Sequence, residues 1–157
     1  MFISMNVCIG GTFYPLHKGH KTLLKKAFEV AGSKGFVFIG VTSASMTKKK
    51  KEIASFESRK QSIEQFLAEE NVIKQAIIQS LSNRFGPALY GDFDAIVVSP
   101  ETQSTAEEIN RRRKYLRKKP LQIIVIPFVL SKDGKPISSS RIRRKEINEN
   151  GIILKQE

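Results

Sequence analysis

The chain has 157 residues, 27 of them Lys or Arg and 15 Asp or Glu, so its formal net charge is +12 at pH 7. This length is common for one domain, and we expect a single domain over residues 1–157. No apolar run approaches the roughly 20 residues of a membrane-spanning helix, and no signal-peptide pattern is found, which predicts a soluble cytoplasmic protein without a membrane partner. The positive charge attracts polyanions, but charge alone does not separate nucleic acid, an anionic membrane surface and a phosphate-rich substrate.

Short β-rich apolar runs alternate along the chain with amphipathic stretches of helical period, a pattern typical of a parallel α/β sheet. Strands are predicted at residues 7–9, 36–41, 76–78, 95–99 and 122–126. Helices are predicted at about residues 20–31, 56–70, 105–117 and 139–148, and Leu116 is expected on the inner face of the third helix. These elements predict a three-layer α/β/α domain with a five-stranded parallel sheet, whose ligand crevice lies at the carboxyl ends of the strands.

The most informative segment is GGTFYPLHKGH at residues 10–20, which joins the first strand to the first helix. Gly10 and Gly11 have no side chains, so a phosphate can approach a main chain whose amides converge at a helix N-terminus. The chain's two histidines, His17 and His20, lie three residues apart on one side of the first helical turn. The segment predicts a phosphate site. The alternatives are a plain turn with locally packed histidines, or a zinc site with Cys8 that lacks a fourth ligand.

A second candidate segment is ISSSRIRR at residues 137–144. The three serines before a helical run can cap the helix and also bond phosphate oxygens, while Arg141 and Arg143 can surround an anion. Serine caps before basic helices are common, so this segment is informative mainly because it would supply a second anion site beside the first.

Both segments resemble known signatures. Residues 10–20 are similar to the GTFxPxHxGH signature of the nucleotidylyltransferase superfamily, and residues 137–143 are similar to its ISSTxIR signature. Together they bracket nearly the whole chain in the expected order on a Rossmann-like domain. SPET at residues 99–102 and KDG at residues 132–134 resemble the archaeal and eukaryotic type of phosphopantetheine adenylyltransferase.

The resemblance implies binding of Mg²⁺-ATP and 4′-phosphopantetheine, followed by in-line attack of the acceptor phosphate on the α-phosphorus. It assigns Thr12, His17 and Lys50 to catalysis, and Thr12 and Lys50 to the acceptor, although four consecutive lysines leave the register of Lys50 open. No metal ligand from the protein is expected. The ATP-site residues it implies are Gly10, Gly11, Thr12, Phe13, His17, Gly19, His20, Ser99, Glu101, Ser138, Ser139, Ser140, Arg141 and Arg143.

One position departs from the family pattern. Tyr14 stands where most members carry aspartate, and a tyrosine offers a neutral hydroxyl where the carboxylate could orient a histidine. We interpret the aspartate's role as dispensable in this branch. The alternative is reduced activity.

Two other functions stay open at this point. A nucleotidyltransferase of the same fold could act on nicotinamide mononucleotide, FMN or glycerol phosphate. A non-catalytic nucleic-acid binder would explain the charge, but such proteins interleave aromatic and basic residues, whereas only Tyr115 lies within the Arg and Lys clusters. The sequence does not decide the oligomeric state.

Overall fold

A computed structural model of the protein describes residues 4–47 and 52–155. Within them, five parallel strands form one sheet in the order β3-β2-β1-β4-β5. The strands are β1 (Asn6–Gly11), β2 (Phe36–Thr42), β3 (Ala76–Leu81), β4 (Ala95–Val98) and β5 (Gln122–Val125). The α-helices are α1 (Lys18–Ala31), α2 (Phe56–Glu69), α3 (Gln103–Tyr115) and α4 (Ser139–Arg143). This confirms the predicted Rossmann-like α/β fold with a five-stranded parallel sheet.

Alternate strand residues point to opposite faces of the sheet, and helices cover the apolar residues on both faces. Val7 and Ile9 of β1 belong to the core cluster that packs against α1 and α2, whereas Cys8 belongs to the cluster that packs against α3. All four residues of β4 are buried. Strands buried on both faces are expected to be apolar throughout, which explains the short, continuous apolar runs in the sequence.

The strand order reverses direction at β1. The chain passes from β1 to β2 and β3 on one side, then crosses back to place β4 against the other side of β1 and β5 beyond it. In an open parallel sheet, ligands bind outside the carboxyl ends of the strands at such a switch point. The segments that follow β1 and β4 are therefore positioned to form a site together. No helix in the described ranges has the length and apolar character needed to cross a bilayer.

Two details of the helices differ from the sequence-based predictions. The helix α3 ends at Tyr115, so Leu116 is its C-cap and is 41% exposed; Arg113 takes the inner position and is 1% exposed. The last helix ends at Arg143 rather than near residue 148, because Lys145 has a positive φ of 61° and Ile147 forms an antiparallel bridge with Ile153. The chain therefore turns back where the prediction continued the helix.

Candidate active site

Both signature segments line one cavity of about 440 Å³ at the carboxyl edge of the sheet, here called the motif cavity. Its wall also includes the segments that directly follow β4 and β5, at residues 99–102 and 126–129, so that the end of β1, these two segments and the starts of α1 and α4 all contribute to it. A backbone hydrogen bond from Lys18 N to Glu149 O, 2.9 Å long, ties the start of α1 to the C-terminal segment. The predicted site residues that line the cavity are Gly11, Thr12, His17, Gly19, His20, Ser99, Glu101, Ser138, Ser139, Ser140 and Arg143.

His17 is the N-cap of α1, and its ring is fixed by the backbone. Nδ1 accepts hydrogen bonds from Gly19 N at 3.0 Å and from His20 N at 3.3 Å. A ring nitrogen that accepts carries no hydrogen, so the neutral ring must carry its proton on Nε2. The residue is 6% exposed, and this burial lowers the pKa of His17 from 6.5 to about 4. At neutral pH His17 is therefore a neutral hydrogen-bond donor, not a cation.

His20 completes a reciprocal cap with His17. Its Nδ1 accepts from His17 N at 3.3 Å, and the two rings stack with their centroids 3.7 Å apart. Burial lowers the pKa of His20 to about 3, helped by the proximity of His17, while a hydrogen bond to the Pro15 carbonyl acts in the opposite direction. The pair thus stays uncharged at neutral pH, and His20 acts structurally by holding the turn as well as lining the cavity.

Gly19 and Phe13 support this pair from two sides. A Cβ on Gly19 would lie 2.8 Å from Cε1 of His17, so only glycine leaves room for the ring. Phe13 is 1% exposed, sits in the core, and holds its ring 5.3 Å from that of His20. Of the predicted ATP-site residues, three do not line the motif cavity: Gly10, Phe13 and Arg141.

Arg141 does not line the motif cavity, because ion pairs and hydrogen bonds hold its side chain elsewhere. Its guanidinium pairs with Asp133 and with Glu146, the latter at 3.0 Å, and donates to Ser131 Oγ at 2.9 Å. Hydrogen bonds from Ser131 and Arg141 hold the pKa of the Asp133 carboxyl far below its usual range. Arg143, two residues on, lines the cavity and has no ion pair among residues 4–47 and 52–155. The two arginines of this signature therefore have different surroundings.

Ser138 caps α4 by accepting a hydrogen bond from Arg141 N at 3.2 Å. That bond uses its oxygen as an acceptor and leaves its hydroxyl hydrogen free to donate. Ser139 and Ser140 line the cavity beside it. This part of the wall is therefore rich in hydroxyl groups that can donate to an anion.

A second, apolar cavity of about 190 Å³ adjoins the motif cavity on the α3 side of the sheet. The two share Gly11 and Thr102 in their walls. Cys8 lines the apolar cavity, and burial raises the pKa of its thiol to about 12, so it acts there as a small apolar group. The remaining wall is mainly apolar, and includes Ile9, Phe38, Leu81, Phe85, Pro87, Ala88, Ile96, Val98, Ala106 and Ile109.

Comparisons with known proteins agree with this geometry. A family profile described as cytidylyltransferase-like matches residues 8–145. The phosphopantetheine adenylyltransferase of Methanosarcina acetivorans is 44% identical over 151 residues, covering 96% of each chain. That of Archaeoglobus fulgidus is 37% identical over 151 residues, covering 96% of this chain and 100% of its own. The crystal structure of a protein of unknown function from Archaeoglobus fulgidus gives a TM-score of 0.71 at 34% identity, covering 78% of this chain and 89% of that one.

The chain belongs to the cytidylyltransferase-like family, in its archaeal phosphopantetheine adenylyltransferase branch. This confirms the resemblance that the two signatures indicated, and makes the protein a nucleotidyltransferase. The roles of individual residues remain predictions.

Lys50 lies outside the described residues, together with Lys48, Lys49 and Lys51. On either side of this gap, Met46 lines the apolar cavity and Ile53 lines the motif cavity. Tyr14 lines the motif cavity and also a groove beside α2.

Arg59 and Thr42 also contact the site, and neither is among the residues predicted from the sequence. Arg59 is 2% exposed and donates to the carbonyls of Thr12 at 3.1 Å and Thr42 at 2.7 Å, and to Thr42 Oγ1 at 3.1 Å. A signal was present in the sequence: Arg59 is four residues before Ile63 and seven before Phe66, on the buried face of α2. A charged residue on an apolar stripe indicates a specific buried partner.

Proposed function

We propose that this protein transfers the adenylyl group of ATP to 4′-phosphopantetheine, producing dephospho-coenzyme A and pyrophosphate in coenzyme A biosynthesis. The observation that carries the proposal is the pair of adjoining cavities. One holds the hydroxyls, histidines and arginine of the two signatures, the other is apolar, and they meet at Gly11 and Thr102. An acceptor with a phosphate at one end and a long, mostly uncharged arm fits such a pair.

In this proposal the acceptor phosphate lies at the junction, beside Thr12, and the pantetheine arm extends into the apolar cavity. ATP occupies the motif cavity, where the segment at residues 126–129 supplies an apolar wall for the adenine and Arg143 a positive charge for the triphosphate. Lys50 is our candidate for a further contact to the acceptor phosphate. Met46 and Ile53, on either side of residues 48–51, border the two cavities, which supports this assignment.

The reaction needs no covalent intermediate with the protein. An oxygen of the acceptor phosphate attacks the α-phosphorus of ATP, a new P–O bond forms, and the bond from the α-phosphorus to the bridging oxygen of pyrophosphate breaks. Catalysis then depends on alignment of the two phosphates and on donors that stabilise the charge on the α-phosphate oxygens. His17 suits this role because its backbone bonds leave Nε2–H as a fixed donor.

Mg²⁺ is part of the proposal as a companion of ATP, and its chemistry would be to neutralise charge on the phosphate oxygens. Among the described residues, no three His, Cys, Asp or Glu side chains come together as a metal site. Glu101 is the carboxylate that the described residues contribute to the motif cavity. One carboxylate together with substrate phosphates and water is a usual set of ligands for Mg²⁺, so this wall fits the ion. We also propose a cytoplasmic location, where ATP is available.

The proposal is tested by pyrophosphate release from ATP or CTP with a panel of phosphorylated acceptors. We expect kcat/KM for ATP with 4′-phosphopantetheine to exceed that for ATP with nicotinamide mononucleotide or FMN at least tenfold, about 1.4 kcal/mol. CTP should be a poor donor. Equal or reversed rates would contradict the acceptor and leave only nucleotidyl transfer. No transfer to any acceptor, with retained binding of nucleic acid, would favour the binder that the sequence left open.

A further inference from the structure

Arg59 is a buried cation that donates to one residue from the wall of each cavity, Thr12 and Thr42. Its guanidinium bonds three segments that are far apart in sequence: Nε donates to Ala54 O at 2.9 Å, Nη1 to Thr12 O at 3.1 Å, and Nη2 to Thr42 O at 2.7 Å. Within residues 4–47 and 52–155, no carboxylate forms an ion pair with it. Its positive charge is therefore not cancelled locally.

Two hydroxyl groups, those of Thr42 and Thr12, connect this guanidinium to the motif cavity by hydrogen bonds. Nη1 of Arg59 also donates to Thr42 Oγ1 at 3.1 Å, and Thr42 Oγ1 lies 3.1 Å from Thr12 Oγ1. Thr42 lines the apolar cavity and Thr12 lines the motif cavity, so this contact spans the junction.

The direction of the hydrogen bond between Thr42 Oγ1 and Thr12 Oγ1 follows from the donors available. Arginine has no acceptor, so Thr42 Oγ1 must accept from Arg59. Among the described residues, Thr12 Oγ1 is the acceptor within reach of the Thr42 hydroxyl hydrogen, so Thr42 donates to Thr12. Thr12 Oγ1 then accepts inside the protein, and its own hydrogen is left for a ligand in the motif cavity.

We propose that Arg59 and Thr42 are positioning residues that fix the Thr12 hydroxyl as a donor aimed at the acceptor phosphate. The inference rests on the proposed function, in which that phosphate lies beside Thr12. Without the Arg59 guanidinium, the Thr12 hydroxyl could rotate to donate to Thr42, and it would then present only lone pairs to an anion. Without the Thr42 hydroxyl, no donor among the described residues fixes the orientation of the Thr12 hydroxyl. The uncancelled charge of Arg59 adds to the effect, because each bond in a chain that starts at a cation is polarised in the same direction.

The hydrogen-bonded series Arg59–Thr42–Thr12, here called the relay, predicts a result that a purely structural role of Thr42 does not. Thr42→Val removes the hydroxyl but keeps the shape, whereas Thr42→Ser keeps the hydroxyl. We expect Thr42→Val to lower kcat/KM for the acceptor about tenfold with little change in KM for ATP, and Thr42→Ser to retain most activity. In a Thr12→Val background the cost of Thr42→Val should disappear, because the group it orients is already absent.

The experiment measures acceptor and ATP kinetics together with thermal melting for wild type, Thr12→Val, Thr42→Val, the double variant, Thr42→Ser and Arg59→Lys. Thr22→Val is the matched control: it removes an identical hydroxyl, whose partner among the described residues is Lys18 O on α1, and should leave kinetics unchanged. Arg59→Lys should reproduce the acceptor-specific loss, since lysine cannot bond all its present partners at once.

An undiminished cost of Thr42→Val in the Thr12→Val background, or full activity of Thr42→Val alone, would overturn the relay while the wild-type turnover upholds the proposed function. A wild type without turnover on 4′-phosphopantetheine would instead overturn the proposed function, and the relay with it.

Discussion

The turn that precedes α1 and the turn that precedes α4 both border the motif cavity, yet different interactions hold them. The first leads into a helix of 14 residues with four in the core, and its histidines cap the helix within the turn itself. The second leads into a helix of five residues, none of them buried. Its position depends on Arg141, whose side chain is 13% exposed and pairs with Asp133 and Glu146.

This difference shows two ways of combining structure and chemistry. In the first turn, His17 caps the helix and, in the mechanism we propose, also supplies the donor to the α-phosphate, so one side chain would couple stability and catalysis. At the second turn the tasks are divided between two residues of the helix that follows it, since Arg141 holds the segment and Arg143 lines the cavity. Substitutions should therefore have mixed effects in the first turn and separable effects in the second.

The largest effect is expected at His17. Loss of one preorganised donor to the transferring phosphate typically costs about 10² to 10³ in rate, so His17→Ala should lose that much kcat while ATP binding changes by less than about tenfold. The variant also loses an N-cap, which costs about 1 kcal/mol, or roughly 2 to 4 °C in melting temperature for a chain of this size. Pyrophosphate release, ATP titration and thermal melting measure the three quantities.

His17→Asn separates the two roles of the side chain. Asparagine is a good N-cap acceptor but is too short to replace the Nε2 donor. We expect it to recover most of the lost melting temperature and none of the lost kcat. Recovery of both would show that His17 acts only through the cap, and the coupling argued for the first turn would be wrong.

An intermediate effect is expected from the two arginines of α4, Arg141 and Arg143. Arg141→Gln should lower the melting temperature and raise the KM for ATP about tenfold, because the segment that carries the serines loses its anchor. Arg143→Gln should raise the KM for ATP by a similar factor with an unchanged melting temperature, since Arg143 has no described ion pair to lose. If both variants melt like wild type, Arg141 is not the anchor and the division of tasks fails.

The fold and the first signature could be predicted because their signals are local. Continuous apolar runs reveal the strands, helical period reveals α1 to α3, and the residues 10–20 place both histidines at one helix start. The ends of α3 and α4 could not be read in this way. No glycine marks the reversal at Lys145. Nothing near Leu116 shows that Arg113 is the better inner residue, because its partners Ala88 and Gly91 are 25 and 22 residues away in sequence.

The same limit applies to the functional side chains. Sequence alone gives Arg141 and Arg143 the same basic character, and only the positions of Asp133 and Glu146 separate them. Arg59 is separated by 47 residues from Thr12 and by 17 from Thr42. A residue that acts through partners so distant in sequence has no motif, and only the charge on a buried helix face indicates it.

The smallest effect is expected at Tyr14, in the turn that precedes α1. Its ring lines the motif cavity, but no hydrogen bond to its hydroxyl is found in the part of the chain that the structure describes. Tyr14→Phe keeps the ring and removes only that hydroxyl, so kcat and both KM values should stay within about threefold of wild type. Steady-state kinetics with both substrates measures this, and Tyr14→Ala, which also removes the ring from the cavity wall, should be the more damaging variant. A loss of a hundredfold in Tyr14→Phe, about 2.7 kcal/mol of transition-state stabilisation, would show that the hydroxyl contacts the reacting phosphates. Tyr14 would then replace the family's aspartate in function, and the first turn would contain a second donor besides His17.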